Sequence, residues 1–332
     1  MSFRGSGLRA RTLSAVTAAI LVALLAMSTA ALPGCLRRGS EGKDQVVDKF
    51  EGEPTISLYI NETGEKTQIK MEEYIAGVVA AEMLPDWPKN AYAAQAILAR
   101  TFTLAKMAEG GMRSKYGTDM STSKDETQAY DPGAITDVIR EAVAATRGMI
   151  LAHSGRYVKG WFHASSGGET TLAKDGLAYE GAEPAYIKRV EVPAELRHIP
   201  DDELHWSATY SLAEVRNLLN VQGFSIGAIS SVSIVQKDPT GRATKIRIEH
   251  TGGRTDMSGA AFRNALGPDR MRSTLITGFE STSAGVQMTG RGFGHGVGMS
   301  QWGAYGMAQE GRSPEEIVTY FFKNVEVQKL WD

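Results

Sequence analysis

The sequence predicts an α+β fold, helices packed on mostly antiparallel strands. Helical periodicity and strand alternation occupy separate blocks rather than repeated strand–helix–strand units. Neighbouring strand segments are joined by short turns, as in local hairpins. Hydrophobic residues make up 42% of the 332 positions, enough for one large or two modest cores. No internal repeat is found.

From Pro54, "TISLYI" reads as a strand, Asn61 to Gly64 as a turn and "KTQIK" as a second strand. At Met71 the period changes to that of a helix, which runs to about Leu84, where Pro85 and Pro88 stop it. A second helix spans Ala91 to about Met107 and ends at Gly110 and Gly111. After the irregular "KYGTDMSTSKDETQAYDPG" come a helix near Ile135 to Thr146 and strands at "MILAH" and "RYVKGWFHA". "SLAEVRNLLN" is helical, and "ISSVSIVQ" with "ATKIRIEH" forms a hairpin through the turn "KDPTG". A short helix at Ala260 to Leu266 and strands at "STLITGFE" and "GVQMTG" lead into a glycine-rich loop and a final helical region. Residues 205–285 are a candidate α/β subdomain.

The formal net charge is −2 and no long basic run occurs, which removes nucleic acid as a partner. Arg4, Arg9 and Arg11 precede an uncharged stretch from Thr12 to Leu36. Its length, near the ~20 apolar residues that span a bilayer, suits a signal peptide or an uncleaved anchor. The only cysteine, Cys35, ends "ALPGC", so residues 1–36 are read as a membrane anchor or a lipoprotein signal. The remainder is expected on the outer face of the cytoplasmic membrane. A lone cysteine forms no internal disulfide. Residues 37–52, charged and without sustained period, are read as a linker.

Within "VVAAEMLP", one carboxylate interrupts an apolar run. At 100° per residue Ile75, Val78, Val79 and Glu82 share one narrow sector, so Glu82 lies on the apolar stripe. Lost hydration raises a carboxyl pKa, which suits a general acid. The competing reading pairs Glu82 with Arg100 on the next helix. That helix also holds Gln95, a second polar residue on an apolar element.

"GRGFGHGVGMSQWGAYG" alternates glycine with other residues and places His295 between two of them. It lacks both G-x-G-x-x-G and G-K-[ST], so phosphate cradling is disfavoured. His163 precedes Ser165 and Ser166, but without G-x-S-x-G a serine nucleophile is weakly supported. H-E-x-x-H and paired cysteines are also missing, so spacing supports no metal site.

"EEYIAGVVAAEM", "AAQAILARTF", "TQAY", "WFHASSGGET", "PAYIKRV" and "GRGFGHGVGMSQWGAYGMAQEG" occur in that order. Together they resemble the SpoIID/LytB family over roughly residues 55 to 330. The resemblance implies a single elongated SpoIID-like catalytic domain, residues 53–332, with a substrate groove. It implies a bacterial lytic transglycosylase that cuts peptidoglycan glycan strands between N-acetylmuramic acid and N-acetylglucosamine. Peptide-stripped strands, a partner amidase in a membrane complex, and a role in sporulation and engulfment are implied with it.

By the same resemblance Glu82 is the catalytic acid, and Gln95 and Arg100 line or support the site. Tyr186 bonds the sugar, and His163, Ser165, His295, Ser300 and Gln301 fall in matching blocks. Some members hold zinc through a histidine and two cysteines, where this chain has Lys115, Ser121 and Thr127. A metal-free, cofactor-free form is therefore expected. The alternative is a non-catalytic peptidoglycan-binding scaffold that recruits an amidase, which would tolerate loss of Glu82.

Overall fold

The structure, a computed structural model, describes Val47 and residues 49–332. The expectations for residues 1–36, Cys35 included, lie outside the described residues. Strands β1 (Thr55–Tyr59) and β2 (Lys66–Lys70) pair antiparallel, and β3 (Met120–Ser121) lies parallel to β1. Helix α1 (Met71–Glu82) follows β2 directly and buries most of its length, because Met71, Tyr74, Ile75, Val78 and Val79 all enter the core. It ends two residues short of the expected Leu84. Helix α2 (Lys89–Ala108) is buried on nearly every side. Its many alanines let neighbours approach closely, while Ile97, Leu98 and Leu104 supply bulk.

A short α3 (Arg113–Tyr116) precedes β3, and α4 (Asp137–Ala145) is capped by the Thr136 hydroxyl on the amide of Ile139. Strand β4 (Met149–His153) pairs with β5 (Arg156–Tyr157) and with the C-terminal strand. "RYVKGWFHA" is not one strand. It breaks into β5 and β6 (Phe162–His163), because the Lys159 amide donates to the Tyr186 hydroxyl at 3.0 Å instead of to a strand neighbour. Short helices α5 (Ala173–Gly176), α6 (Pro193–His198) and α7 (Asp201–Leu204) lead to the next module.

That module comprises β7 (His205–Tyr210), α8 (Leu212–Val221), β8 (Ile229–Lys237), β9 (Ala243–His250), β10 (Gly253–Ser258), α9 (Gly259–Leu266), β11 (Ile276–Ser281) and β12 (Val286–Arg291). Two antiparallel sheets, in orders β10-β9-β8 and β11-β12-β7, enclose a hydrophobic cluster of their own that includes Trp206, Tyr210, Leu219, Ile246, Phe262 and Met288. Strands β7 and β10 are not anticipated from the sequence, although β7 alternates exposed and buried residues along its length.

The chain then returns to the first cores through β13 (Met299–Ser300), parallel to β6, and through α10 (Gln301–Gln309), α11 (Pro314–Phe321) and β14 (Glu326–Lys329) beside β4. The glycine-rich loop fits because Gly298 has φ +73 and a Cβ there would lie 2.0 Å from the Trp161 carbonyl oxygen. Helices and mostly antiparallel small sheets make this an α+β fold. The segment read as a linker is held at its end: Val47 and Phe50 donate to the carbonyls of Gly155 and Leu330, and the Phe50 ring meets Trp331 edge-on at 5.6 Å. Among the described residues no helix is long and apolar enough to cross a membrane.

Candidate active site

Glu82 is the last residue of α1 and only 2% exposed. Its Oε1 accepts the amide of Ala129 at 2.8 Å, and Oε2 has no hydrogen-bond partner among the described residues. Burial pushes the carboxyl up to about 7, against the opposing Ala129 amide and the charge of Lys124. Oε2 can therefore carry a proton near neutrality.

The segment that covers Glu82 is seated on α1. Gly77 faces Tyr130, and a Cβ there would fall 2.3 Å from the Tyr130 ring, so only glycine admits this approach. The Asp131 amide then donates to the Gly77 carbonyl at 3.0 Å. Gln128 donates to the Thr103 hydroxyl at 3.0 Å, while its Oε1 is buried without a partner. Tyr74 lies within the electrostatic reach of Glu82, and burial first, with that charge adding, raises its hydroxyl pKa. From α10, Gln301 donates to the Glu82 main-chain carbonyl at 3.1 Å. It thereby satisfies an acceptor that the end of α1 leaves open.

The Arg100 pairing considered for Glu82 does not occur. Arg100 is buried against Glu72, with Nη2 to Oε2 at 2.6 Å and Nε to Oε1 at 3.2 Å, and Nη1 donates to the Ala96 and Met149 carbonyls. Glu72 also accepts from the Gly148 amide and the Trp331 indole. Arg100 thus ties α1, α2, β4 and the C-terminus together, and Glu82 is left without a cationic bond. Gln95 is fully buried, and neither end of its amide has a partner.

The other candidates bond to groups other than the Glu82 carboxyl. Ser165 and Ser300 donate to Glu195 of α6, each at 2.6 Å, as do Ser166 and the amides of Ser166 and Gly167. Ser165 therefore faces a carboxylate and not an imidazole, an arrangement that provides no serine nucleophile. Tyr186, whose hydroxyl accepts the Lys159 amide, places its ring between His153 and Phe322. The rings of His163 and His295 meet in the interior with centroids 5.5 Å apart and planes tilted by 55°.

Lys115, Ser121 and Thr127 do converge. Lys115 and Ser121 both bond Glu126, Ser121 at 3.0 Å, and Thr127 donates to the Ser121 carbonyl at 2.6 Å. An ion pair and hydroxyls occupy this place, and among the described residues no group of three or more His, Cys, Asp or Glu is arranged to hold a metal. Glu126, Gln128 and Glu195 escape sequence reasoning. Glu126 and Gln128 stand in the segment around "TQAY", where only the block itself is a signal, and Glu195 in "PAELRH" carries none.

Fold and site define an α+β protein with a buried glutamate at the end of α1, its carboxyl pKa raised by burial, covered by a polar loop. The chain belongs to the SpoIID family: residues 59–153 match that family, described as Stage II sporulation protein. Residues 187–298 match a domain of unknown function. The chain is 31% identical to an uncharacterized protein of Brachyspira hyodysenteriae, over 78% of this chain and 67% of that one. It is 28% identical to Stage II sporulation protein D of Bacillus subtilis, over 83% and 79% of the two chains. To the Amidase enhancer of Bacillus subtilis it is 23% identical, over 75% of this chain and 39% of that one.

Proposed function

We propose that the protein is a lytic transglycosylase acting on peptidoglycan glycan strands, with Glu82 as its acid. The observation that carries this reading is a fully buried carboxyl held near pKa 7 with one oxygen free. Glu82 Oε2 donates its proton to the glycosidic oxygen between N-acetylmuramic acid and N-acetylglucosamine. The 6-hydroxyl of the muramyl sugar attacks the anomeric carbon, and its proton passes to the Glu82 carboxylate. A 1,6-anhydro end results, and the acid is restored without the second carboxylate that ordinary glycosidases use.

The family and the Bacillus subtilis relative named for sporulation support a role in sporulation, at the stage when the septal wall is remodelled. Thr12 to Leu36 anchors the chain, with the described residues on the outer face of the cytoplasmic membrane. The partial match to an amidase enhancer favours a second reading, in which the protein holds the wall and assists an amidase.

The full chain, incubated with peptide-stripped strands and with intact peptidoglycan, is expected to release anhydro-ended fragments detectable by mass spectrometry. Glu82→Gln should release them at least about 100-fold more slowly. Folded protein that binds glycan, cleaves nothing and enhances an added amidase would establish the second reading instead.

A further inference from the structure

The imidazoles of His163 and His295 are 0% and 3% exposed and take no part in the hydrogen bonds of Glu82. One residue, Val297, fixes both tautomers. His163 Nδ1 faces the Val297 carbonyl at 3.2 Å and must donate to it, whereas His295 Nδ1 accepts the Val297 amide at 3.0 Å. Both rings are neutral, since burial and the nearby Arg242 and Arg263 charges lower their pKa values, His295 to about 3. The remaining nitrogen of His163, Nε2, is therefore a bare acceptor, and it has no partner.

Two guanidiniums share this interior. Arg242, just before β9, spends Nη1 on the Thr240 hydroxyl and Nη2 on the Ser166 carbonyl, and its Nε is unpartnered. Arg263 of α9 is 1% exposed and donates only through Nε, to the Arg272 carbonyl at 2.9 Å, so Nη1 and Nη2 are both orphaned. The carboxylate that acts on Arg263 belongs to Asp269, which is exposed. A buried cation with unbonded N–H groups is strongly unfavourable unless something accepts from it.

We propose that the interior between β6, the glycine-rich loop and α9 binds a small oxyanion that still carries a proton, of the hydrogen phosphate or hydrogen carbonate class. Its oxygens accept from Arg263 Nη1 and Nη2, and its hydroxyl donates to His163 Nε2. A halide offers no proton to His163, and a water offers no charge to Arg263. The ion joins the first cores, through β6, to the module of residues 205–291, through α9. None of these groups bonds Glu82, and the proposal does not rest on the reaction proposed for it.

The test uses the full chain in detergent and inorganic phosphate, with sulfate and chloride at matched ionic strength and pH. Phosphate at about a hundredfold excess over its Kd should raise Tm by roughly 5 °C. Sulfate, which holds no proton at neutral pH, should raise it less. Arg263→Met should abolish the phosphate-specific rise. If that variant does not fold, crystals of the unmodified protein grown in phosphate decide the matter, with tetrahedral density between Arg263 and His163 expected. Equal Tm in phosphate and chloride, a rise that persists in Arg263→Met, or density for water alone at this place would overturn the proposal.

Discussion

The side-chain amide of Gln301 donates to the main-chain carbonyl of Glu82 at 3.1 Å, joining residues 219 apart in sequence. The last turn of α1 thus depends on the first residue of α10. Gln301→Leu leaves a buried carbonyl unsatisfied and should cost about 1–3 kcal/mol of stability. Because the turn that aims the Glu82 side chain is loosened, strand cleavage should fall more than glycan binding. Thermal unfolding and product release, measured side by side, check both. Unchanged cleavage would mean that the helix end is held by other contacts.

Glu82 must be protonated to act, so cleavage should decline as pH rises through about 7, the value to which burial lifts its carboxyl. A pH–rate profile on stripped strands reads this directly. A rate that keeps climbing past pH 8 would remove Glu82 as the acid. Glu82→Gln should lower the rate by roughly 100-fold to 10,000-fold, the usual contribution of a general acid.

The same carboxyl links stability to pH. Its folded pKa is raised from 4.5 to about 7, so the folded state binds the proton more tightly than the unfolded chain. Its penalty is absent below about 4.5, grows across that window, and is complete above about 7. The shift corresponds to on the order of 3 kcal/mol. Glu82→Gln should therefore stabilise the protein at pH 8 and have little effect near pH 4, as denaturant midpoints at the two pH values would reveal.

Arg100, fully buried, pairs at 2.6 Å with Glu72, whose side chain is 11% exposed. Arg100→Met strands the Glu72 carboxylate and should destabilise by about 3–5 kcal/mol, while Arg100→Met with Glu72→Gln should recover much of that loss. A substrate-binding Arg100 would instead raise KM in a protein of ordinary stability.

Glu126, gripped by Lys115, Tyr116 and Ser121, lies three residues before the amide that Glu82 accepts. An ion pair does here what a metal would do elsewhere in holding a loop. Treatment with a chelator should leave both Tm and cleavage unchanged, and metal analysis of the purified chain should find no stoichiometric zinc.

Much of the fold was legible because it rests on local rules. Apolar periodicity marked α1 and α2, Pro85 and Pro88 marked where α1 must stop, and "KDPTG" marked the β8–β9 hairpin. Strand β10 was not legible. "GRTDMS" lacks a hydrophobic alternation, and it becomes a strand because Thr255, Asp256 and Met257 find partners in β9. "RYVKGWFHA" reads as one strand locally, yet the Tyr186 hydroxyl captures the amide that would have continued it.

The sequence by itself determined the placement of an acid on an apolar helical stripe and the blocks that identify the family, since both depend on order and spacing along the chain. Tertiary structure decided which partner each buried charge received. Arg100 went to Glu72 and not to Glu82, the serines near His163 went to Glu195, and the two histidines went to an interior that holds Arg242 and Arg263. The reason is physical: a charge is neutralised by whatever the packed chain brings within a few ångströms, and that proximity is set by the docking of distant elements rather than by sequence neighbours.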